Sequence, residues 1–259
     1  MTPTLKQRWR AGEITLGGWC ALPSSLSAEI IGKAGFDWVL IDMQHGCMGY
    51  ETAVDMIRAI DLGASAPIVR VPANDPAIIG RMLDAGAMGI IVPMINSAEE
   101  ARAVVDACRY PPLGQRSLGP FRVQVRDGGK YVPEANERIA VIPMIETLSA
   151  LEAVEEIAAV PGVDALFVGP FDLSFALGLR PGDNDGEPAF DSAIERIGKA
   201  ARASGIATAV LSNPQLAPIR AQQGFQMISV AMDNVALAMA AAGALKSAQD
   251  GINKEKANA

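Results

Sequence analysis

The chain has 259 residues, half of them hydrophobic, with 29 acidic against 22 basic side chains and a net charge of -7. That balance repels phosphate backbones and anionic bilayers, so neither nucleic acid nor a membrane surface is expected as a partner. A chain of about this length suits a single large α/β domain, and few aromatics with abundant Val, Ile, Ala and Leu suit a core buried in a parallel sheet.

Short apolar runs alternate with amphipathic stretches from one end to the other, the pattern of β/α repeats. Strands are expected at 16–21, 38–42, 68–71, 89–93, 140–145, 165–168, 208–211 and 227–230. Helices are expected between them at 27–34, 50–62, 77–85, 98–109, 148–159, 189–204 and 214–222, and after the last strand at 235–248. Glycines punctuate the joins, as at Gly35, Gly63, Gly86 and Gly162. Eight alternations predict a closed (β/α)8 TIM barrel forming a single domain over residues 1–259, because an open doubly wound sheet more often stops at five or six strands.

Two connections are long: 110–136, rich in Gly, Pro and Arg, and 178–188, which contains PGDNDGEP. Long loops in compact domains are usually functional, so each is expected to close over the site or to meet a neighbouring subunit. The last helix, VALAMAAAGALKSA, is apolar over more of its circumference than an outer barrel helix requires. Packing against a second copy of the chain and packing along its own barrel both answer that pattern. The polar residues 250–259 are expected to fray.

Three cysteines, Cys20, Cys47 and Cys108, form no CxxC pair, and their odd number argues against a disulfide framework. No apolar run approaches the ~18 residues of a membrane span, and Glu13 interrupts the stretch where a signal peptide needs its apolar core. A reducing cytoplasm is the expected location.

Barrel enzymes carry reactive groups at the C-terminal ends of their strands. Strand two ends IDMQHG and supplies Asp42 and His45; strand three ends VRVP and supplies Arg70; strands five and six supply Glu146 and Asp172. One Glu and one Asp on neighbouring strands, with water or substrate completing the shell, suit a hard divalent cation such as magnesium, manganese or cobalt. The alternative is that each carboxylate caps the helix that follows it.

Such a cation chelates a 2-oxo acid and acts on it as a Lewis acid. Arg70 brings a permanent charge on a planar fork to the same oxygen, and an imidazole at His45 can pass a proton to or from a hydroxyl. Asp42, or another nearby carboxylate, would keep that imidazole basic. Every lysine lies outside the expected strands, which disfavours a Schiff base. Cys47 lacks the partners of an acyl-transfer nucleophile, and neither GxGxxG nor GxxxxGK[ST] is present, so no nicotinamide cofactor or ATP is implied.

The segments GFDWVLIDMQHG, VRVP, RMLDAGAMGIIVPMINSAEEA, RYPPLGQRS, IPMIET and VGPFDLS, in that order, resemble the HpcH/HpaI aldolase family of metal-dependent pyruvate aldolases. The likeness runs from about Gly17 to Met232 and implies reversible cleavage of a 4-hydroxy-2-oxo acid to pyruvate, or a close analogue such as hydroxypyruvate, plus an aldehyde. It implies His45 as general base, Arg70 as transition-state stabiliser, Glu146 and Asp172 as metal ligands, and Asp84 as the carboxylate that raises the basicity of the histidine. The backbone at Phe171 and Asp172 would meet the substrate carboxylate. A hexamer, built as a trimer of dimers that exchange C-terminal helices, is implied as well.

Three positions depart from the common pattern: Gln44 where Glu is usual, Met144 where Gln often contacts substrate, and Phe171 where a small residue is usual. These departures bear on the pocket rather than on metal or base. Two other readings share the barrel. An acyl-CoA ester lyase would need a basic groove, for which Arg116, Arg122 and Arg126 are the available cluster, and a silent metabolite-binding barrel would be expected to have lost one of His45, Arg70, Glu146 and Asp172.

Overall fold

A computed structural model describes residues 3–258 of the chain. Eight parallel strands close on themselves in sequence order. They are β1 (Thr15–Cys20), β2 (Trp38–Asp42), β3 (Ala66–Arg70), β4 (Gly89–Val92), β5 (Ala140–Ile145), β6 (Ala165–Val168), β7 (Ala207–Leu211) and β8 (Met227–Met232). The first helices are α1 (Leu5–Arg10), α2 (Ser25–Lys33), α3 (Tyr50–Ile60), α4 (Pro76–Ala85), α5 (Ala98–Cys108), α6 (Phe121–Asp127) and α7 (Tyr131–Arg138). Then come α8 (Leu148–Glu152), α9 (Val154–Ala158), α10 (Pro170–Ala176), α11 (Pro188–Ala203), α12 (Ala217–Gln222) and α13 (Asp233–Asn258). This is the (β/α)8 barrel that the alternation predicts.

Strand periodicity divides the core in two. Val39 and Ile41, Val141 and Ile145, and Leu166 and Val168 face outward into the large cluster under the helices. Their neighbours Trp38 and Leu40, Ala140, Ile142 and Met144, and Ala165 and Phe167 face inward and fill the barrel. Because side chains alternate with a period of two, the same inward parity carries on to Asp42, Arg70 and Glu146 at the C-terminal ends. The interior is filled by a few large rings. Trp38 lies so close over Gly17 that a Cβ there would sit 2.2 Å from the indole.

The opposite end of the barrel is closed by α1, which the sequence reading does not anticipate. Thr4 and Gln7 form a reciprocal cap at its start, and Leu5 and Trp9 insert into the inner cluster. Trp9 Nε1 donates to Thr15 Oγ1 at 3.0 Å, which fixes the plug to β1. Beside it Lys6 and Arg109 share the carboxylate of Asp164, at 3.1 and 2.6 Å. Lys6 is thus a buried lysine, but it belongs to this closed end. Burial depresses its ammonium and Asp164 works against that.

The 110–136 connection also belongs to the closed end, so of its two expected roles it does not cover the site of its own chain. It follows a helix rather than a strand, and it folds into α6, a 3-10 turn at Gly128–Lys130, and α7. Arg126 Nη1 donates to Asp61 Oδ1 and to the Gly86 carbonyl, both at 3.0 Å, and Arg122 Nη1 donates to the Ala85 carbonyl at 2.8 Å. These contacts pin α6 against the C-terminal ends of α3 and α4. The 178–188 connection follows β6 and α10 and stays at the open end. Fully buried Arg220 holds it through Asp183 at 2.8 Å and Asp185 at 2.6 Å.

After β8 the chain leaves the barrel. Asp233, buried at the root of α13, accepts from the Ala21 amide at 2.9 Å and from Ser27 Oγ at 2.8 Å, so the departure point is fixed. Beyond it α13 is exposed along its length, including Val235, Leu237, Met239, Leu245 and Ile252. Packing along its own barrel is therefore ruled out for this helix. The helix continues to Asn258 through the polar stretch expected to fray, and Ala259 lies outside the described residues.

Gly17→Val is expected to destabilise the protein by about 3 kcal/mol, because the fully buried Trp38 has nowhere to go. Gly80→Ala, at a helical position with open space around the missing Cβ, is expected to stabilise by about 0.5–1 kcal/mol. Urea denaturation of both variants checks the pair, and a neutral Gly17→Val would contradict the packing described.

Candidate active site

The open mouth is built around one buried ion pair. Asp42 ends β2 and Arg70 ends β3 directly opposite it in register. Arg70 Nε donates to Asp42 Oδ1 at 2.9 Å and Nη2 donates to Oδ2 at 2.6 Å, a two-point fork in which both residues are buried. Trp19, inward at the end of β1, donates Nε1 to Asp42 Oδ2 at 3.2 Å and lays its ring 4.8 Å from the guanidinium carbon. The backbone amides of Gln44 and His45 also donate to Asp42 Oδ1, at 3.0 and 3.2 Å.

Asp42 therefore has a different role from the one expected of it. Its carboxylate orients Arg70 and shapes the turn that carries His45; the His45 contact comes from the backbone amide, not from the imidazole. The ring itself is exposed at the mouth. Burial opposes the charge on Asp42, but the Arg70 fork more than offsets it, and the carboxyl is held below its ordinary range. Such a group stabilises the fold above the ordinary Asp value of about 4 and loses that contribution as pH falls through its lower folded value.

Glu146 follows β5 and is buried. Its Oε1 accepts the Met94 amide at 2.7 Å, and Met94 turns its N–H there by taking the left-handed conformation, φ 57°, rare for a residue with a side chain. On the other side Gly169 leaves room, since a Cβ there would lie 2.7 Å from Glu146 Oε2. Burial raises the Glu146 carboxyl above its ordinary range; the Met94 amide opposes this, Asp172 adds to it, and Arg70 and His45 oppose it. Arg70 ends β3 and Glu146 follows β5 at the same end of the parallel barrel, where His45 and Asp172 lie in the segments that follow β2 and β6.

Asp172 projects exposed from the first turn of α10, beside exposed Phe171. Met144 is buried in the barrel interior, under the cradle formed by Gly169. Among the described residues no three His, Cys, Asp or Glu side chains converge on one point. The donor set is instead a pair of carboxylates, one desolvated and one at the rim, and it fits a hard divalent ion that takes the rest of its shell from water and substrate.

Asp84 does not join this group within one chain. It lies near the C-terminal end of α4 and accepts Arg116 Nη2 at 2.6 Å. Arg116 is itself buried between the rings of Tyr110 and Tyr131, with Nη1 donating to Tyr131 Oη at 2.9 Å. Arg116, Arg122 and Arg126 are thus all engaged in structural contacts and form no basic groove. Cys20 and Cys108 are buried, and burial pushes their thiols up to about 12, whereas Cys47 is exposed.

The chain belongs to the HpcH/HpaI aldolase/citrate lyase family, whose model matches residues 16–240. It is 38% identical over 234 residues to a hydroxypyruvate/pyruvate aldolase of Rhizorhabdus wittichii, covering 90% of this chain and 93% of that protein. Against a 4-hydroxy-2-oxo-heptane-1,7-dioate aldolase of Klebsiella pneumoniae it is also 38% identical, over 246 residues that cover 93% of this chain and 92% of the other. Among solved structures, an HpcH/HpaI aldolase/citrate lyase family protein of Burkholderia cenocepacia superposes with a TM-score of 0.87 at 34% identity, covering 95% of this chain and 98% of that one. No helix among the described residues is long and apolar enough to cross a membrane.

Asp42→Ala strands a buried guanidinium and is expected to destabilise the protein by about 3 kcal/mol. Glu146→Gln should act in the opposite sense. A carboxyl raised by burial costs stability when ionised, so the metal-free variant is expected to melt above the wild type near neutral pH, with the gap closing as pH falls through the raised value. Scanning calorimetry of both across about pH 5 to 8 checks the two signs, and a Glu146→Gln variant that melts below wild type would contradict the second.

Proposed function

We propose that this protein is a metal-dependent aldolase that reversibly cleaves 4-hydroxy-2-oxo acids to pyruvate, or a close analogue such as hydroxypyruvate, plus an aldehyde. The observation that carries this reading is the placement at one end of the barrel of Arg70, fixed by Asp42, with Glu146 and Asp172, two carboxylates that form no salt bridge among the described residues. Glu146 and Asp172 would hold a magnesium, manganese or cobalt ion, which supplies Lewis-acid polarisation of the 2-oxo acid.

The chain's own residues do the rest. In the cleavage direction His45 takes the proton from the 4-hydroxyl, the C3–C4 bond breaks, and its electron pair moves toward C2, leaving charge on the 2-oxo oxygen. Arg70 faces that oxygen with a fork already oriented by Asp42 and Trp19, so little reorganisation accompanies the build-up of charge. Reversal adds an aldehyde at the same carbon. Met144 beneath the site and Phe171 at its rim, with Arg70 and Asp172, shape the space for the 2-oxo acid. Within the chain Asp84 is held by Arg116, so the role on the histidine that the resemblance gives it is proposed only across two copies of the chain. With Arg116, Arg122 and Arg126 all engaged, the acyl-CoA reading has lost its supporting feature. The intact mouth argues against a silent binder.

We further propose that the protein works as a homo-oligomer, a hexamer built as a trimer of dimers, in which α13 packs on another copy. Support comes from the exposed apolar side chains on a helix that leaves its own barrel. A cytoplasmic setting fits the unpaired cysteines.

Aldol turnover of hydroxypyruvate or pyruvate with an aldehyde panel is expected to vanish in excess EDTA and to return with magnesium, manganese or cobalt; full activity in EDTA would rule the reading out. His45→Ala is expected to lose about 100-fold or more in kcat while keeping metal and pyruvate affinity. Leu237→Asp with Met239→Asp is expected to reduce the mass measured by light scattering, and an unchanged mass would remove α13 from the interface.

A further inference from the structure

Glu146 is held by a backbone amide, and the backbone that supplies it is itself held. Met94 directs its N–H at Glu146 Oε1 from a left-handed conformation that a residue with a Cβ disfavours by roughly 1–2 kcal/mol. Something must over-determine that conformation. Asn96 does so: its Nδ2 donates to the Met94 carbonyl at 2.8 Å, and its own amide donates to Glu100 Oε2 at 2.6 Å, which ties the turn to the start of α5. The remaining polar atom of the same side chain, Oδ1, accepts from Thr147 Oγ1 at 2.5 Å. Thr147 is the residue immediately after Glu146, and it also caps α8 by accepting the Ala150 amide at 3.0 Å.

One amide side chain therefore spans the gap between the loops that leave β4 and β5. It grips Glu146 twice, through Met94 on the side of the carboxylate and through Thr147 on the side of the main chain. We propose that Asn96, acting with Thr147, is a positioning residue that fixes the Glu146 carboxylate for cation binding. Neither side chain touches substrate or the reacting atoms. The inference rests on the reading of Glu146 as a metal ligand and extends it to the residues that orient that ligand.

The side chain's chemistry is specific to the task. Asparagine offers a donor and an acceptor on one short planar group, so it can satisfy a carbonyl on one loop and a hydroxyl on the other at once. Aspartate lacks the donor, and alanine lacks both. Loss of an orienting partner of this kind typically weakens a metal site about 10- to 100-fold.

The test is calorimetric titration of manganese(II) into the full-length wild type, Asn96→Ala, Thr147→Val, Thr147→Ser and Glu146→Gln, with thermal midpoints recorded on each metal-free protein. Asn96→Ala leaves the α8 cap in place, so its effect reports bracing alone; it is expected to weaken manganese binding by about tenfold. Thr147→Val is expected to weaken it similarly, and Thr147→Ser, which keeps both donor and cap, to bind within about twofold of wild type. If Asn96→Ala does not fold, the Val and Ser pair at 147 decides. Unchanged affinity in a folded Asn96→Ala, or in Thr147→Val where Asn96→Ala does not fold, alongside lost binding in Glu146→Gln, would overturn the inference and leave the metal site standing. Absence of manganese binding in the wild type, or wild-type binding in Glu146→Gln, would instead overturn the reading of the site and the inference with it.

Discussion

Everything at the mouth depends on a parity constraint. In a closed parallel sheet each strand presents alternate residues inward, and the strands' C-terminal ends share one rim. Trp38 and Leu40 commit β2 to the interior, as Ile68 commits β3 and Ala140, Ile142 and Met144 commit β5. The next inward residue of each strand is then Asp42, Arg70 or Glu146, so acids and a base are brought to one place by the same alternation that fills the core. A slip of one residue in any of these strands would bury its charge among the outer aliphatic side chains and expose the apolar set. Register and chemistry are a single property here.

Charge balance at that rim follows from the pairing. Arg70 is paired with Asp42 and stacked on Trp19, which fixes the guanidinium in one orientation at the rim. Glu146 and Asp172 remain as carboxylates without a cation of their own, and burial raises the first of them. The protein's own cationic side chains at the mouth are Arg70 and, when protonated, His45. A divalent ion relieves this imbalance at neutral pH, when its coordination to two carboxylates exceeds the cost of keeping both ionised.

Much of this was legible in the sequence. Eight apolar runs with their spacing define the barrel, and the residues that end β2, β3, β5 and β6 are local facts that need no partner to recognise. What was not legible depends on contacts distant in the chain. Trp19 sits near the end of β1 on the inward parity, yet nothing in its sequence neighbourhood announces Asp42 as its acceptor. Met94 carries no left-handed signal, which sequence associates with glycine and asparagine. The hold of Asp42 on Arg70 comes from register across β2 and β3, which its nearness in sequence to His45 does not reveal. Arg116 reaches Asp84 across 32 positions, and no spacing rule reveals that. The 110–136 connection is different: it follows a helix, so its place at the closed end follows from element order alone.

The account's central claim is that Glu146 and Asp172 jointly bind one cation within reach of Arg70. Anomalous diffraction at the manganese edge, from crystals soaked with manganese and pyruvate, tests it most directly. A single peak is predicted between those two carboxylates, with the 2-oxo acid completing its coordination and Arg70 beside the ketone oxygen. A manganese peak elsewhere, or one that engages neither carboxylate, would contradict it.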